Sequence, residues 1–266
     1  MINEKYEKLT SILQEMRTVV VAFSGGVDST FLLKAAVDAL GYENVLAVTA
    51  DSETYPSSEL EEAKQLAQKI GVKHTVIETS ELAIPGYTEN NKNRCYFCKS
   101  SLFQHLVPIM EKSGFNNVIY GVIADDLNEY RPGIQAAKER GVRGPLQEAS
   151  LFKEEIRELS RQFDLPTWDK PSFACLSSRI AYGEKITQEK LTKVEKAEAY
   201  LKTLHIRQVR VRTHGEIARI EVEPQNMKIV LENHEAISKE LQSYGYQYIT
   251  LDLIGYKSGS MNKVLS

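Results

Sequence analysis

"TVVVAFSGGVDSTFLLKAAVDAL" (residues 18–40) passes from an apolar run through two adjacent glycines into a segment with helical spacing. "TVVVAF" reads as a fully buried strand. From Ser29 to Leu40 the apolar residues Phe31, Leu32, Ala35, Ala36 and Ala39 fall at helical intervals. A strand-to-helix turn with two glycines lets backbone approach a ligand closely, and the helix that follows presents unpaired N–H groups and a positive dipole end. The expectation is an anion cradle built from Ser24, Gly25, Gly26, Asp28 and Ser29.

The pattern continues outward. "NVLAVTA" (44–50), "KHTVIET" (73–79) and "NNVIYGV" (116–122) read as further strands, with a charged amphipathic helix at 56–70, a short helix in "GIQAAKER" and another at 152–163. Strands that are apolar throughout, alternating with helices, predict an α/β fold: a parallel, doubly wound sheet with helices on both faces. Near residue 184 the texture changes. A Lys/Glu-rich helix from Thr187, two alternating strands around His214 and Gly215, a helix over 224–244 broken in the middle and the strand "YQYITLDL" predict a small antiparallel α+β unit. Two domains are expected, 1–184 and 185–266, the second a substrate or oligomerisation domain.

The chain has 266 residues, 42% hydrophobic and 26% charged, and 33 basic against 36 acidic residues leave a net charge of −3. That balance disfavours a strongly basic nucleic-acid binder, so no nucleic-acid partner is expected. No apolar run approaches the roughly 20 residues that cross a bilayer. The charged, amphipathic N-terminus lacks the apolar core of a signal peptide, and a cytoplasmic protein without membrane association is expected. Three cysteines, Cys95, Cys98 and Cys175, are too few and odd in number for a disulfide framework. The C-x-x-C spacing leaves several readings open: a redox dithiol, structural zinc with His105 or His74, an iron–sulfur cluster, or buried structural thiols.

The loop is neither a Walker A motif nor G-x-G-x-x-G. "SGGVDS" resembles the pyrophosphate loop (PP-loop) of the ATP pyrophosphatase superfamily, whose adenine nucleotide alpha hydrolase-like fold is the doubly wound sheet expected here. The resemblance implies that Ser24, Gly25, Gly26 and Ser29 bind the β and γ phosphates of ATP, that Asp28 helps organise Mg²⁺, and that Ala50 borders the adenine. "LFKEEIRELSRQFDLP" is similar to a segment whose lysine, here Lys153, reaches the pyrophosphate.

"RCYFCK", "ADDLNEYRPG", "GVRGPL", "PTWDKPSFACLSSRIAYG" and "VRVRTHGEIARIEV" together resemble the LarE family across nearly the whole chain. These are ATP-dependent sulfur transferases that build the nickel-pincer nucleotide cofactor of lactate racemase. The resemblance implies adenylation of a carboxylate of pyridinium-3,5-biscarboxylic acid mononucleotide, displacement of AMP by sulfur, and a thiocarboxylate product. It implies either a sacrificial Cys175 or a four-iron four-sulfur cluster held by Cys95, Cys98 and Cys175. The presence of all three thiols favours the cluster, with sulfide or a sulfur-donor protein as a partner. A homo-oligomer is expected.

Arg210 and Arg212 alternate onto one face of a strand and suit the nucleotide phosphate. Ser178 and Arg179 are candidates for substrate phosphate or carboxylate, and Arg94 for substrate contact or for offsetting thiolate charge. Asp125 and Asp126 form a candidate Mg²⁺ or substrate-orienting loop, or else helix caps. Ile123 and Glu129 depart from the family pattern, which expects Asn and Asp there. Trp168 is expected to wall the site by packing. A tRNA-thiolating enzyme is the main alternative; it calls for a basic RNA-binding domain, whereas residues 185–266 carry basic and acidic residues in comparable number. An amide-forming synthetase and a non-catalytic nucleotide-binding module complete the alternatives.

Overall fold

The computed structural model describes residues 2–128 and 132–265. The chain divides into two compact units, residues 1–80 with 95–170 and residues 81–94 with 171–266. The division at Lys170 precedes the expected boundary at 184, and a segment from the first half of the chain joins the second unit. Asn90, fully buried, explains why: its side-chain amide donates to the carbonyls of Ile180 (3.2 Å) and Ala181 (2.7 Å). Tyr87 adds a hydroxyl bond of 2.8 Å to Ser177 Oγ.

The first unit opens with α1 (Ile2–Met16), β1 (Val19–Ala22), α2 (Val27–Leu40), β2 (Val45–Asp51), α3 (Ser57–Ile70) and β3 (Lys73–Glu78). It continues through α4 (Arg94–Lys112), β4 (Asn117–Tyr120), α5 (Pro132–Glu139), the one-turn α6 (Pro145–Glu148) and α7 (Lys153–Gln162). Its four strands lie in the order β3-β2-β1-β4, all parallel, with Val19 beside Val45 and Asn117. Alternate residues enter different cores. Val19, Val21, Val45, Ala47 and Ile119 pack with Leu9, Phe31 and Leu32, while Val20, Leu46, Val48 and Val118 pack with Phe103 and Leu106. Burial of both faces is why β1 and most of β2 carry no polar alternation, whereas β3, at the edge of the sheet, is partly exposed. The chain builds outward from β1 to β3 and then returns to the other side of β1, which makes the carboxyl end of β1 the switch point where such sheets bind ligands.

The second unit holds α8 (Gln188–Thr203), β5 (Val209–His214), β6 (Ile217–Val222), α9 (Met227–Glu232), α10 (His234–Ser243) and β7 (Tyr248–Leu251). β5 and β6 are antiparallel, but β6 and β7 run parallel. The sheet is therefore mixed rather than antiparallel as expected, because α9 and α10 return the chain to the end at which β6 began. Leu201, Val209, Val211, Ile220 and Leu241 fill its core.

Phe31 is fully buried and its ring stacks near Phe163 at 6.2 Å between centroids. Phe31→Ala should lower the stability of the first unit by about 3–5 kcal/mol, read as a fall in the denaturant midpoint with little change in slope.

Candidate active site

Between β1 and α2 the backbone turns at Gly25 with φ +62°, the left-handed region that glycine enters without strain. A Cβ there would lie 3.1 Å from Ala63 Cβ of α3, so both conformation and space call for glycine. Ser24 and Ser29 bridge the turn, Oγ to Oγ at 3.0 Å, and Ser29 Oγ accepts from the Ser24 N–H at 3.2 Å. Gly121, just past β4, approaches α2 so closely that a Cβ would meet Ser29 N at 3.0 Å. Among the described residues no acceptor pairs with the N–H of Gly25 or Gly26.

Asp28, in the first turn of α2, receives Lys153 Nζ on both carboxylate oxygens at 2.7 and 2.8 Å. Burial raises the Asp28 pKa, the Lys153 charge opposes that rise, and Asp126 adds to it. Asp125 Oδ2 accepts the Lys153 backbone N–H at 2.9 Å and so caps α7, while Asp126 Oδ2 accepts the Ile123 N–H at 3.1 Å and closes its own turn. The helix that Asp125 meets is thus α7 and not the next one in the chain. Ala50 lies near the carboxyl end of β2. Glu129 lies outside the described residues.

In the second unit, Cys175 is half-buried within a segment held by three arginines. Arg179, 1% exposed, forks onto Glu198 at 2.8 and 2.9 Å and donates to the carbonyls of Ala174 and Cys175 and to Ser178 Oγ. Its donors are taken up by protein groups, so it holds the Cys175 segment rather than reaching for substrate as the sequence suggested. Burial disfavours the Arg179 charge, but Glu198 outweighs it and raises the pKa. Burial likewise opposes the Glu198 carboxylate, and Arg179 holds its pKa below the ordinary value. Arg212 pairs with Glu221 at 2.8 Å and donates to the carbonyl of Ser178 at 3.3 Å. Arg210 donates to the carbonyls of Val209 (2.8 Å) and Ser172 and lies over the Tyr256 ring. Among the described residues no carboxylate pairs with it, and burial, together with the Arg179 charge, pushes its pKa down to about 10. Arg94 is buried, bonded to Asn90 and to the carbonyl of Ser177, where it braces this unit.

Residues 1–95 match the NAD synthase family. A pyridinium-3,5-bisthiocarboxylic acid mononucleotide synthase of Lactiplantibacillus plantarum is 38% identical over 98% of this chain and 95% of its own. The chain belongs to that synthase family, the LarE family. An uncharacterised protein of Synechocystis is 48% identical along the full length of both chains. A glutamine-dependent NAD(+) synthetase of Aquifex aeolicus shares 42% identity over 29% of this chain and 14% of its own. This LarE-family chain is an ATP-utilising PP-loop enzyme, and the shared NAD synthase region contains the loop, α2 and Tyr55.

The three cysteines fall in both units: Cys95 and Cys98 in the first turns of α4, Cys175 in the second unit. Neither unit alone offers three thiolates, and among the described residues no group of three or more His, Cys, Asp or Glu is gathered to hold a metal. Trp168, expected to pack into a wall, is 42% exposed; its carbonyl, rather than its ring, is held, by Arg157. No helix among the described residues is long and apolar enough to cross a membrane. Glu198, Tyr55 and Lys170 were not singled out from the sequence, because the partners that matter here, Arg179, Ser24 and Gly25, lie 19, 31 and 145 residues away.

Glu198→Gln should destabilise the second unit by about 3–5 kcal/mol, since it strands a buried guanidinium. The Glu198 pKa is depressed in the folded state. Its contribution is therefore complete above the ordinary carboxylate value of about 4.3 and lost as pH falls through the lower folded value. Urea melts across this range should show the variant losing that part of the acid dependence.

Proposed function

We propose that the protein is an ATP-dependent sulfurtransferase that converts a carboxylate of pyridinium-3,5-biscarboxylic acid mononucleotide to a thiocarboxylate. The observation that carries this reading is the near-full-length identity to the Lactiplantibacillus synthase, combined with a pyrophosphate loop and an arginine-held cysteine.

The first step transfers AMP. A substrate carboxylate oxygen attacks the α phosphorus of ATP, the α–β bridging bond breaks, and pyrophosphate leaves. Ser24, Ser29 and the N–H groups of Gly25 and Gly26 hold that pyrophosphate, and Lys153 moves from Asp28 toward it. Ala50 borders the adenine. Asp28 is already paired with one cation, a donor suited to Mg²⁺, which would supply charge neutralisation of the triphosphate.

In the second step the Cys175 thiolate attacks the acyl carbon of the adenylate and AMP departs. Loss of the Cys175 Cα proton then breaks its Cβ–S bond, giving a thiocarboxylate and dehydroalanine. Arg210 and Arg212 hold the nucleotide phosphate with Ser178. Of the two arginines, Arg210 has the greater unspent charge, because Glu221 already neutralises Arg212. A second reading of the sulfur source, favoured by the spacing of Cys95 and Cys98, is sulfide carried on a cluster. In that reading Cys95, Cys98 and Cys175 would hold the cluster, which would supply the sulfide.

Anaerobically purified protein, incubated with Mg-ATP and the biscarboxylate nucleotide, should yield thiocarboxylate and lose about 34 Da, the mass of H₂S removed from Cys175. An unchanged mass, with about four irons per chain, would assign the sulfur to a cluster. ATP turnover without any thiocarboxylate would overturn the substrate. Lys153→Met should lower pyrophosphate release about 10²–10³-fold, as expected for removal of one preorganised charge partner.

A further inference from the structure

The carbonyls of the pyrophosphate loop are held from outside by two side chains that lie in none of the sequence motifs assigned to phosphate. Tyr55 OH donates to the Ser24 carbonyl at 2.8 Å. Lys170 Nζ donates to the Gly25 carbonyl at 3.1 Å. Both donors converge on the first turns of α3. Tyr55 OH is also 3.3 Å from the Glu59 carbonyl, and Lys170 pairs with the Glu59 and Glu62 carboxylates at 2.7 and 3.0 Å. The left-handed turn at Gly25 faces α3 as well, with Ala63 at its back.

A trans peptide is planar, and its C=O and N–H point in opposite directions. When the Ser24 carbonyl is drawn toward Tyr55, the N–H of the same peptide, that of Gly25, is turned away from α3. When the Gly25 carbonyl is drawn toward Lys170, the Gly26 N–H is turned away in the same manner. These are the two N–H groups that no described residue satisfies. Successive N–H groups aimed outward from a turn form an anion-binding concavity.

We infer that Tyr55 and Lys170 are positioning residues that clamp the loop carbonyls against α3 and so aim the Gly25 and Gly26 N–H groups at the pyrophosphate portion of ATP. This rests on the reading of the loop as the ATP site. Neither side chain touches the phosphates. Tyr55 is fixed as a donor, because burial and the Glu59 and Glu62 charges raise its pKa. The Lys170 ammonium, with its charge offset by two carboxylates, acts as a three-pronged connector rather than as a free cation. Its own backbone is anchored by Arg157, which donates to the Lys170 carbonyl at 2.8 Å.

The test is binding of Mg-ATP, inorganic pyrophosphate and AMP to the full chain, by calorimetry, in wild type, Tyr55→Phe and Lys170→Met, with a thermal melt of each. Tyr55→Phe removes one hydroxyl and no charge. It should weaken ATP and pyrophosphate about two- to tenfold, the range of a single neutral hydrogen bond, and leave AMP unchanged. The KM for the pyridinium nucleotide should stay put while that for ATP rises. Lys170→Met should act in the same direction and more strongly, with Lys170→Arg recovering part of the loss. Equal weakening of AMP would indicate general disordering and overturn the clamp, as would unchanged pyrophosphate affinity in both variants. A wild type that binds neither ATP nor pyrophosphate would instead overturn the reading of the loop itself.

Discussion

The ion pair between Lys153 and Asp28 is the contact on which the first unit's site depends. It ties the first turn of α2 to the first turn of α7, two helices that meet the phosphate loop from different parts of the chain. Asp28 favours the amino end of its helix; burial works against its charge and raises its pKa, and the ammonium that faces it opposes that rise. Lys153 is held in turn through its backbone by Asp125, which places the acidic turn after β4 in the same constellation. In the proposed reading, a polyanion that enters here competes with Asp28 for Lys153.

The second unit answers the same electrostatic problem with guanidinium groups. Arg179, Arg210 and Arg212 each donate to carbonyls between Ser172 and Ser178, so the backbone around Cys175 is fixed by charge-assisted bonds rather than by regular secondary structure. Such a segment has no period to advertise it. Glu198 and Glu221, from α8 and β6, neutralise Arg179 and Arg212 and leave Arg210 without a carboxylate of its own.

What the sequence made legible follows from these interactions. β1, the loop and α2 are local: an apolar run, two glycines and a helical period specify them without reference to distant residues. The sulfur-transfer reading came from motifs, and the relative from Lactiplantibacillus bears out the family. Three features were hidden. The joining of residues 81–94 to the second unit depends on Asn90 meeting carbonyls about ninety residues away. The parallel pairing of β6 and β7 depends on how α9 and α10 return the chain. The burial of Arg179 and Arg94, and the bonds by which they brace the second unit, depend on partners that no pattern in their own segments announces.

The contrast between the two anion sites bears on the proposed chemistry. The loop of the first unit presents mainly neutral N–H groups and hydroxyls, and its nearest cations, Lys153 and Lys170, are already offset by Asp28, Glu59 and Glu62. A group held by oriented dipoles pays little to leave for water, and pyrophosphate must leave on every cycle. In the second unit Arg210 forms no ion pair with a carboxylate among the described residues, although Glu198 lies near enough to act on it. That makes a stronger hold, suited, on the proposed reading, to a nucleotide that must stay while its adenylate meets Cys175. On this reasoning the division of cationic charge between the units matches the order of events: a leaving group released early, and a nucleotide retained while its acyl carbon meets sulfur.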